Sequence, residues 1–347
     1  MNFKIFNDRT YLDTARSGGI YSELLDWRKS HEIKYFDMGS EFRIDSEVFI
    51  EKVRRSVSSF FGSGTSSTCL TQSFSVGFNS LLNLLREDLS ILVYKNDYPS
   101  ITRSLELNHF DYCKFGLKNN FEEDVLQSIE KENPDVLVIS VVQYLNGIFI
   151  EPDLFLKVKK LYPKILIIAD GTQYCGTKKI NFDRSGIDVL IASGYKWIYS
   201  GYGNGFVLLK MDQIKRFIKK RFEHIDRKSI LSFFEPGNLD TLNYGSLKFS
   251  LDTMSEIGIK IIEKKINKIS EFAKQKFLEL ELLDPQIQLS TEHSNIFNIR
   301  GDSRLYQKLL LNRIICSLRG NGIRVSFGMF NSEYDVEKLI TVLRANL

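Results

Sequence analysis

Four polar side chains directly follow two apolar runs in the middle of the chain: Asp170, Gln173, Ser193 and Lys196. The runs cover residues 165–169 and 187–192 and are rich in isoleucine, which is typical of buried strands. In open sheets of alternating strands and helices, ligands bind beyond the carboxyl ends of the strands. A lysine that is buried at such an edge can lose its proton and act as a nucleophile.

Together these groups match what a pyridoxal phosphate ring requires. Asp170 would keep the pyridine nitrogen protonated, Gln173 would bond the phenolic oxygen of the ring, and Ser193 would contact the phosphate. Lys196 would form the imine with the aldehyde and afterwards move protons as an acid and base. We therefore predict pyridoxal 5'-phosphate as the cofactor, with Lys196 and Asp170 as the catalytic residues.

The spacing of these residues resembles the class V aminotransferase family, which also holds cysteine desulfurases, kynureninases and several lyases and epimerases. The similar motifs follow one another along almost the whole chain: Tyr11-Leu12-Asp13-Thr14-Ala15, Asp170-x-x-Gln173-x-x-Gly176, Ser193-x-x-Lys196-Trp197, Glu235-Pro236-Gly237-Asn238 and Ile323-Arg324-Val325-Ser326. The resemblance implies the α/β fold of the type I pyridoxal-phosphate transferases. This fold has a large domain, with a mostly parallel seven-stranded sheet sandwiched by helices, and a small C-terminal α+β domain.

The resemblance also implies further cofactor contacts. Ser73, Phe74 and Ser75 precede a helical run and match the turn that holds phosphate in the family, although an ordinary helix N-cap explains the same pattern. Tyr98 would stack on the ring or would lie in the core after a strand. Tyr195 stands where the family often has histidine.

Four more residues complete the predicted site. Asn238 would reach the phosphate from the neighbouring subunit of a homodimer, because the site of this fold is built at a two-fold interface. Arg324 would clamp the α-carboxylate of the substrate with its planar guanidinium. Asn146 and Ala15 are the other predicted substrate contacts.

Composition excludes several classes of partner. The net charge of +4, from 47 basic and 43 acidic residues, is too small to favour nucleic acid binding. No run approaches the roughly 18 apolar residues of a membrane span. The four cysteines are far apart without a CxxC pair, so we expect neither a metal site nor disulfides. Together these features predict a cytoplasmic protein.

Alternating strand and helix patterns predict a large cofactor-binding domain over residues 21–249, after an extended N-terminal arm over residues 1–20. A small α+β domain is predicted over residues 250–347. It would begin with a long helix over residues 250–283 that bridges the two lobes, and it would contain another helix over residues 305–318.

Transamination of an amino acid or related small amine is the primary functional prediction. A lyase that catalyses α,β-elimination, at a C–S bond or a similar one, and an epimerase are the alternatives on the same scaffold; a non-catalytic relative is less favoured because the key residues are present. Persulfide chemistry is disfavoured, because Cys316 lies inside the predicted helix 305–318, where it would be a buried structural thiol. That helix would leave no room for the cysteine-bearing loop of the desulfurases.

Overall fold

Alternating strands and helices form most of the molecule, and the computed structural model describes residues 1–64, 68–118, 120–288 and 293–346. The strands are β1 Thr10–Tyr11, β2 Thr68–Thr71, β3 Ile91–Tyr94, β4 Tyr112–Phe115, β5 Val136–Ser140, β6 Leu166–Asp170, β7 Val189–Ser193, β8 Gly205–Leu209, β9 Ile296–Arg300, β10 Ile314–Ile315, β11 Ser317–Arg319 and β12 Gly322–Ser326. The helices are α1 Ser22–Met38, α2 Ser46–Phe61, α3 Phe74–Leu84, α4 Pro99–Leu107, α5 Phe121–Glu132, α6 Pro152–Leu161, α7 Met211–Ile214, α8 Arg227–Phe234, α9 Thr241–Ile257, α10 Ile259–Glu279, α11 Pro285–Gln288, α12 Ser303–Leu311 and α13 Glu333–Arg344.

Seven strands form the central sheet, in the order β2-β8-β7-β6-β5-β3-β4. Among these described strands, β8 alone runs in the direction opposite to the other six. Because the other strands are parallel, their carboxyl ends meet at one edge, and Ser140, Asp170 and Ile191 are neighbours in register there. The predicted mostly parallel, seven-stranded sheet is confirmed.

Helices cover both faces of this sheet, which is why its strands are apolar throughout. Along β6, Leu166 and Ile168 pack into a core with α3, α4 and α8, whereas Ile167 and Ala169 pack into a core with α2, α5, α6 and α9. This alternation follows from the two-residue period of a strand. The sheet is therefore held rigidly between two cores, and so is the edge where β5, β6 and β7 end.

A second, smaller lobe contains the antiparallel sheet β11-β12-β9. Its core joins α10, α12 and α13 to this sheet and includes the aromatic residues Phe277, Phe297 and Phe327. The N-terminal arm reaches this lobe, because β1 pairs in parallel with β10. The arm also meets β12, since the N–H of Ser326 donates to the carbonyl of Leu12 at 2.8 Å.

The single helix predicted for residues 250–283 is wrong. The chain forms two helices there, α9 and α10, which meet at Gly258. Gly258 has a φ of +90°, a backbone conformation that residues with a Cβ rarely adopt, and its N–H caps the carbonyl of Met254. Helix α9 packs mainly on α2 and α1, and α10 on α13. The domain boundaries at residues 20 and 250 stay predictions.

The helix predicted for residues 305–318 is also too long. Helix α12 ends at Leu311, and Arg313 follows with a φ of +59°. The β-branched residues Ile314 and Ile315 then pair with the arm instead of continuing the helix. Cys316 therefore lies in an extended segment between β10 and β11 and not in a helix, although it is buried as expected.

One buried ion pair joins α2 to the turn at residues 235–238. The guanidinium of Arg54 bonds both carboxylate oxygens of Glu235, and the N–H of Leu70 donates to the same carboxylate at 2.7 Å. Removal of Glu235 would leave Arg54 largely buried without this partner.

We expect Glu235→Ala to lower the free energy of unfolding by about 3 kcal/mol, as found when one partner of a buried pair is deleted. Glu87→Ala is the matched control, because Glu87 is an exposed partner of Lys219 and its removal should leave stability unchanged. Urea denaturation followed by circular dichroism measures both. Equal midpoints for wild type and Glu235→Ala would contradict this role of the pair.

Candidate active site

A cavity opens where the parallel strands end, and most of the predicted cofactor residues line it. Its empty volume, which includes space open to solvent, is about 420 Å³. The lining residues are Ser73, Phe74, Ser75, Tyr98, Ser140, Tyr144, Asp170, Thr172, Gln173, Ser193, Tyr195 and Lys196. The structure thus brings together nine of the ten residues that the sequence predicts to bind the cofactor.

Asp170 is the last residue of β6 and is almost fully buried. Burial raises the pKa of its carboxyl group, while a hydrogen bond from the N–H of Thr172 at 2.7 Å and the charge of Lys196 act in the opposite direction. A carboxylate in this position favours a protonated nitrogen beside it. The residue suits the predicted partner of a pyridine nitrogen.

Lys196 lies three residues beyond β7 and is 7% exposed. Burial lowers the pKa of its ammonium group; the charge of Asp170 opposes this, and Arg324 and Arg319 add to it. Its Nζ lies 5.7 Å from the ring centre of Tyr98 and 5.6 Å from that of Tyr195. A lysine whose pKa is lowered provides the neutral amine that attacks an aldehyde.

Gln173 has its amide orientation fixed by two neighbours. The indole Nε1 of Trp197 donates to Oε1 at 2.8 Å, and Nε2 donates to the carbonyl of Ala15 at 2.9 Å. Since an amide nitrogen has two hydrogens, Nε2 keeps one donor beyond its bond to Ala15. The bond from Trp197 therefore fixes which end of the Gln173 amide is the donor.

Ser193 and the start of α3 form the other end of the cavity. The N–H of Phe74 donates to Oγ of Ser193 at 2.8 Å, and Oγ of Ser73 accepts from the N–H of Val76 at 3.3 Å. Ser73 is thus the N-cap of α3, so the ordinary N-cap that the sequence pattern also allowed is present. The first N–H groups of an α-helix have no partner inside the helix and attract anions, so a cap and a phosphate site are compatible here.

The sequence analysis did not identify two residues, Asp97 and Thr172, that hold parts of the cavity wall in place. Asp97 is buried and accepts hydrogen bonds from the N–H of Tyr98 at 2.7 Å, from the N–H of Ser140 at 2.8 Å and from the Ser140 hydroxyl. Asp97 therefore anchors Tyr98 to the end of β5. Thr172 accepts from the N–H of Ser193 at 3.2 Å and ties the ends of β6 and β7 together. The position of Asp97 directly before Tyr98 was the available signal.

Arg324 is buried on β12, and its Nη1 donates to the carbonyl of Tyr144 at 2.9 Å. Tyr144 lines the cavity, so the guanidinium lies directly behind the cavity wall. Its Nε and Nη2 are buried without a hydrogen-bond partner in the described residues. Buried donors without partners are costly, and a carboxylate would satisfy them.

Ala15, another predicted substrate contact, is also buried, and its N–H donates to Oγ of Ser326 at 3.0 Å.

Asn146 and Asn238 lie outside the residues that line the cavity. The carboxamide oxygen of Asn146 accepts from the N–H of Ile148 at 3.3 Å, which is a contact within its own turn. Asn238 lines a separate surface groove and accepts a hydrogen bond from Arg43 at 2.7 Å. Their assignments stay predictions, and that of Asn238 depends on a second subunit.

These groups fit pyridoxal phosphate: an acidic residue, a reactive lysine, an oriented amide, an aromatic ring and a helix N-terminus surround one cavity. In the described residues, three or more histidine, cysteine or acidic side chains do not gather in a way that would hold a metal ion. None of the helices in the same residues is long and apolar enough to span a membrane.

Comparison with known proteins identifies the family of the chain. The family model described as Aminotransferase class-V matches residues 32–339. The chain belongs to this family, and its cofactor is pyridoxal 5'-phosphate. A curated relative, a probable cysteine desulfurase from Ureaplasma parvum serovar 3, is 20% identical over 99% of this chain and 94% of its own length.

Solved structures show the same fold. The cystine C-S lyase C-DES, in complex with its reaction product cysteine persulfide, superposes with a TM-score of 0.86 over 97% of both chains at 16% identity. The apo cysteine desulfurase from Thermococcus onnurineus NA1 has a TM-score of 0.81, at 16% identity, over 99% of this chain and 96% of its own. A lysine-to-alanine variant of C-DES carries glycine covalently linked to its pyridoxal phosphate.

The lowered pKa of Lys196 predicts how the apoprotein recaptures pyridoxal phosphate. Only the neutral amine attacks the aldehyde, so the rate should rise with pH and level off well below the ordinary lysine value of 10.5. Growth of the cofactor absorbance band, followed from pH 6 to 11, measures this rate. N-acetyl-lysine methylamide is the control with an ordinary amine. A profile that keeps rising in parallel with the control would contradict the environment described for Lys196.

Proposed function

We propose that this protein is a pyridoxal-phosphate-dependent C–S lyase that cleaves a sulfur-containing amino acid, of the cysteine or cystine class, by α,β-elimination. The observation that carries the proposal is a site with the full cofactor set but no thiol among the described residues that line it. The relatives described above are named as desulfurases and a C–S lyase. These similarities favour the lyase alternative over the transaminase that the sequence first suggested.

The cofactor, when bound, withdraws electrons from the α-carbon of the substrate. Lys196, whose pKa burial lowers, takes the α-proton as a base. The Cβ–S bond then breaks as the Cα–Cβ double bond forms, and the sulfur leaves with its electron pair. Hydrolysis of the resulting enamine yields a 2-oxo acid and ammonia. Asp170 and Gln173 hold the ring, and Arg324 holds the substrate carboxylate.

The cysteines of the chain are poorly suited to accept sulfur. Cys69, Cys175 and Cys316 are buried, and Cys113 is exposed on β4 at the edge of the central sheet. Burial raises the pKa of Cys316 to about 12, so its thiolate is scarcely populated at neutral pH. In addition, β11 and β12 are joined by a tight two-residue turn, which leaves no long loop before Arg324. Sulfur should therefore leave with the product.

A homodimer is the second part of the proposal. The surface groove that contains Asn238 has an empty volume of about 2,360 Å³ and is lined by α1, α2 and residues 228–242. Exposed apolar side chains border it, among them Tyr35 and Ile44. Apolar patches of this kind typically mark interfaces. A second copy placed here would bring Asn238 towards the site of its partner, as the family resemblance implies.

The cytoplasmic location stays a prediction.

The lyase proposal is tested by incubating the loaded protein with L-cystine and L-cysteine. We expect pyruvate and ammonia in equal amounts, with sulfide or persulfide, at a rate that falls at least a thousandfold in Lys196→Ala, because the base is lost. Cys316→Ser should keep near wild-type activity, since no sulfur passes through this thiol.

Other products would decide against elimination. Conversion of the cofactor to its pyridoxamine form, with an oxo acid that keeps its sulfur, would indicate the transaminase. Loss of optical activity without pyruvate would indicate the epimerase. Loss of activity in Cys316→Ser would contradict the release of sulfur with the product.

The dimer is tested by multi-angle light scattering at micromolar concentration. The expected mass is about twice the 40.2 kDa of the chain. Ile44→Glu would place a charge in the proposed interface and should shift the mass towards the monomer, whereas Leu107→Glu, at an exposed position on α4, should not. A monomeric wild-type protein would contradict the shared site.

A further inference from the structure

Arg324 has an acidic neighbour, Asp13, to which the elimination chemistry assigns no role. Its Nη2 lies 3.6 Å from Oδ1 of Asp13, and both side chains are only a few per cent exposed. The two opposite charges form an ion pair at this distance, but the separation is longer than that of a normal hydrogen bond. The guanidinium thus has a negative charge beside it, while Nε and Nη2 make no hydrogen bond within normal distance to the described residues.

Asp13 cannot easily move away from Arg324. The hydroxyl of Ser317 donates to its two carboxylate oxygens, at 2.6 and 2.7 Å. The backbone on either side is also fixed, because the N–H of Leu12 donates to the carbonyl of Ile315 at 2.8 Å and Ala15 bonds Ser326. The carboxylate is therefore a fixed part of the wall around Arg324.

A substrate carboxylate on Arg324 would be the second negative charge on one buried guanidinium. At an effective dielectric constant near 20, like charges a few ångströms apart interact strongly enough to change an affinity tenfold or more. Other charged groups act on this cluster, namely Arg16 on Asp13, Arg319 on Arg324, and Lys196 on both. Arg16 and Arg319 are exposed, so solvent screens them more than it screens Asp13.

We propose that Asp13 is the resident counter-ion of Arg324, a positioning residue that holds the guanidinium in the empty site and weakens the binding of the substrate carboxylate. This inference rests on the proposed function, in which Arg324 receives that carboxylate. Without Asp13, the buried cation would bind a carboxylate more tightly, because the ligand would no longer meet the negative charge of Asp13 beside the guanidinium. Asp13 thus keeps substrate and product carboxylates exchangeable.

The test uses two ligands of similar size, glycine with a carboxylate and glycinamide with a neutral carboxamide in its place. Each is titrated into the pyridoxal-phosphate-loaded protein, and the shift of the cofactor absorbance band gives its dissociation constant. Asp13→Asn keeps the size of the side chain and an acceptor for Ser317. We expect it to bind glycine about tenfold more tightly than wild type does, with glycinamide changed less than twofold.

Two further variants keep the result interpretable. Asp13→Ser is a second neutral variant, in case Asp13→Asn folds poorly, and should shift the glycine affinity in the same direction. Arg324→Gln should abolish the preference for glycine over glycinamide. Unchanged or weaker glycine binding in both Asp13 variants would overturn the counter-ion role. If Arg324→Gln keeps the preference, or if neither ligand shifts the wild-type band, the proposed function itself fails.

Discussion

The site depends on one constraint: a lysine and an aspartate are both buried at the edge where parallel strands end. Burial lowers the pKa of Lys196 and raises that of Asp170, so each group is less easily charged here than it would be in water. The two groups partly compensate one another across the cavity. A ring that brings a positive nitrogen to Asp170 and an aldehyde to Lys196 satisfies both residues at once.

The remainder of the structure keeps these two groups in place. Apolar cores on both faces of the sheet hold β6 and β7, and Thr172 ties their ends together. The N-terminal arm closes the other side, because its carbonyl at Ala15 accepts from Gln173 and the N–H of Gly18 donates to the carbonyl of Tyr195. Gly18 has no space for a side chain, since a Cβ would lie 1.8 Å from the carbonyl oxygen of Lys196.

The sequence predicted the sheet and much of the cavity lining because both follow from local patterns. Apolar runs followed by Asp170, Ser193 and Lys196 indicate strand ends, and the strand ends of a parallel sheet converge. The sequence did not predict where the long helices end. A positive φ at Gly258 or Arg313 ends each helix, and this conformation depends on tertiary packing that stabilises it. The contacts of Asp97 and Asp13 were also not predicted, since their partners Ser140 and Ser317 are distant along the chain.

The central claim is that the amine of Lys196 is tethered to pyridoxal phosphate, and one measurement tests it most directly. The purified, cofactor-loaded protein is reduced with borohydride, digested, and analysed by peptide mass spectrometry. The account predicts a phosphopyridoxyl group on Lys196, in wild type and not in Lys196→Ala. A modified lysine elsewhere in the chain, or an unmodified Lys196 in protein that holds the cofactor, would contradict the account.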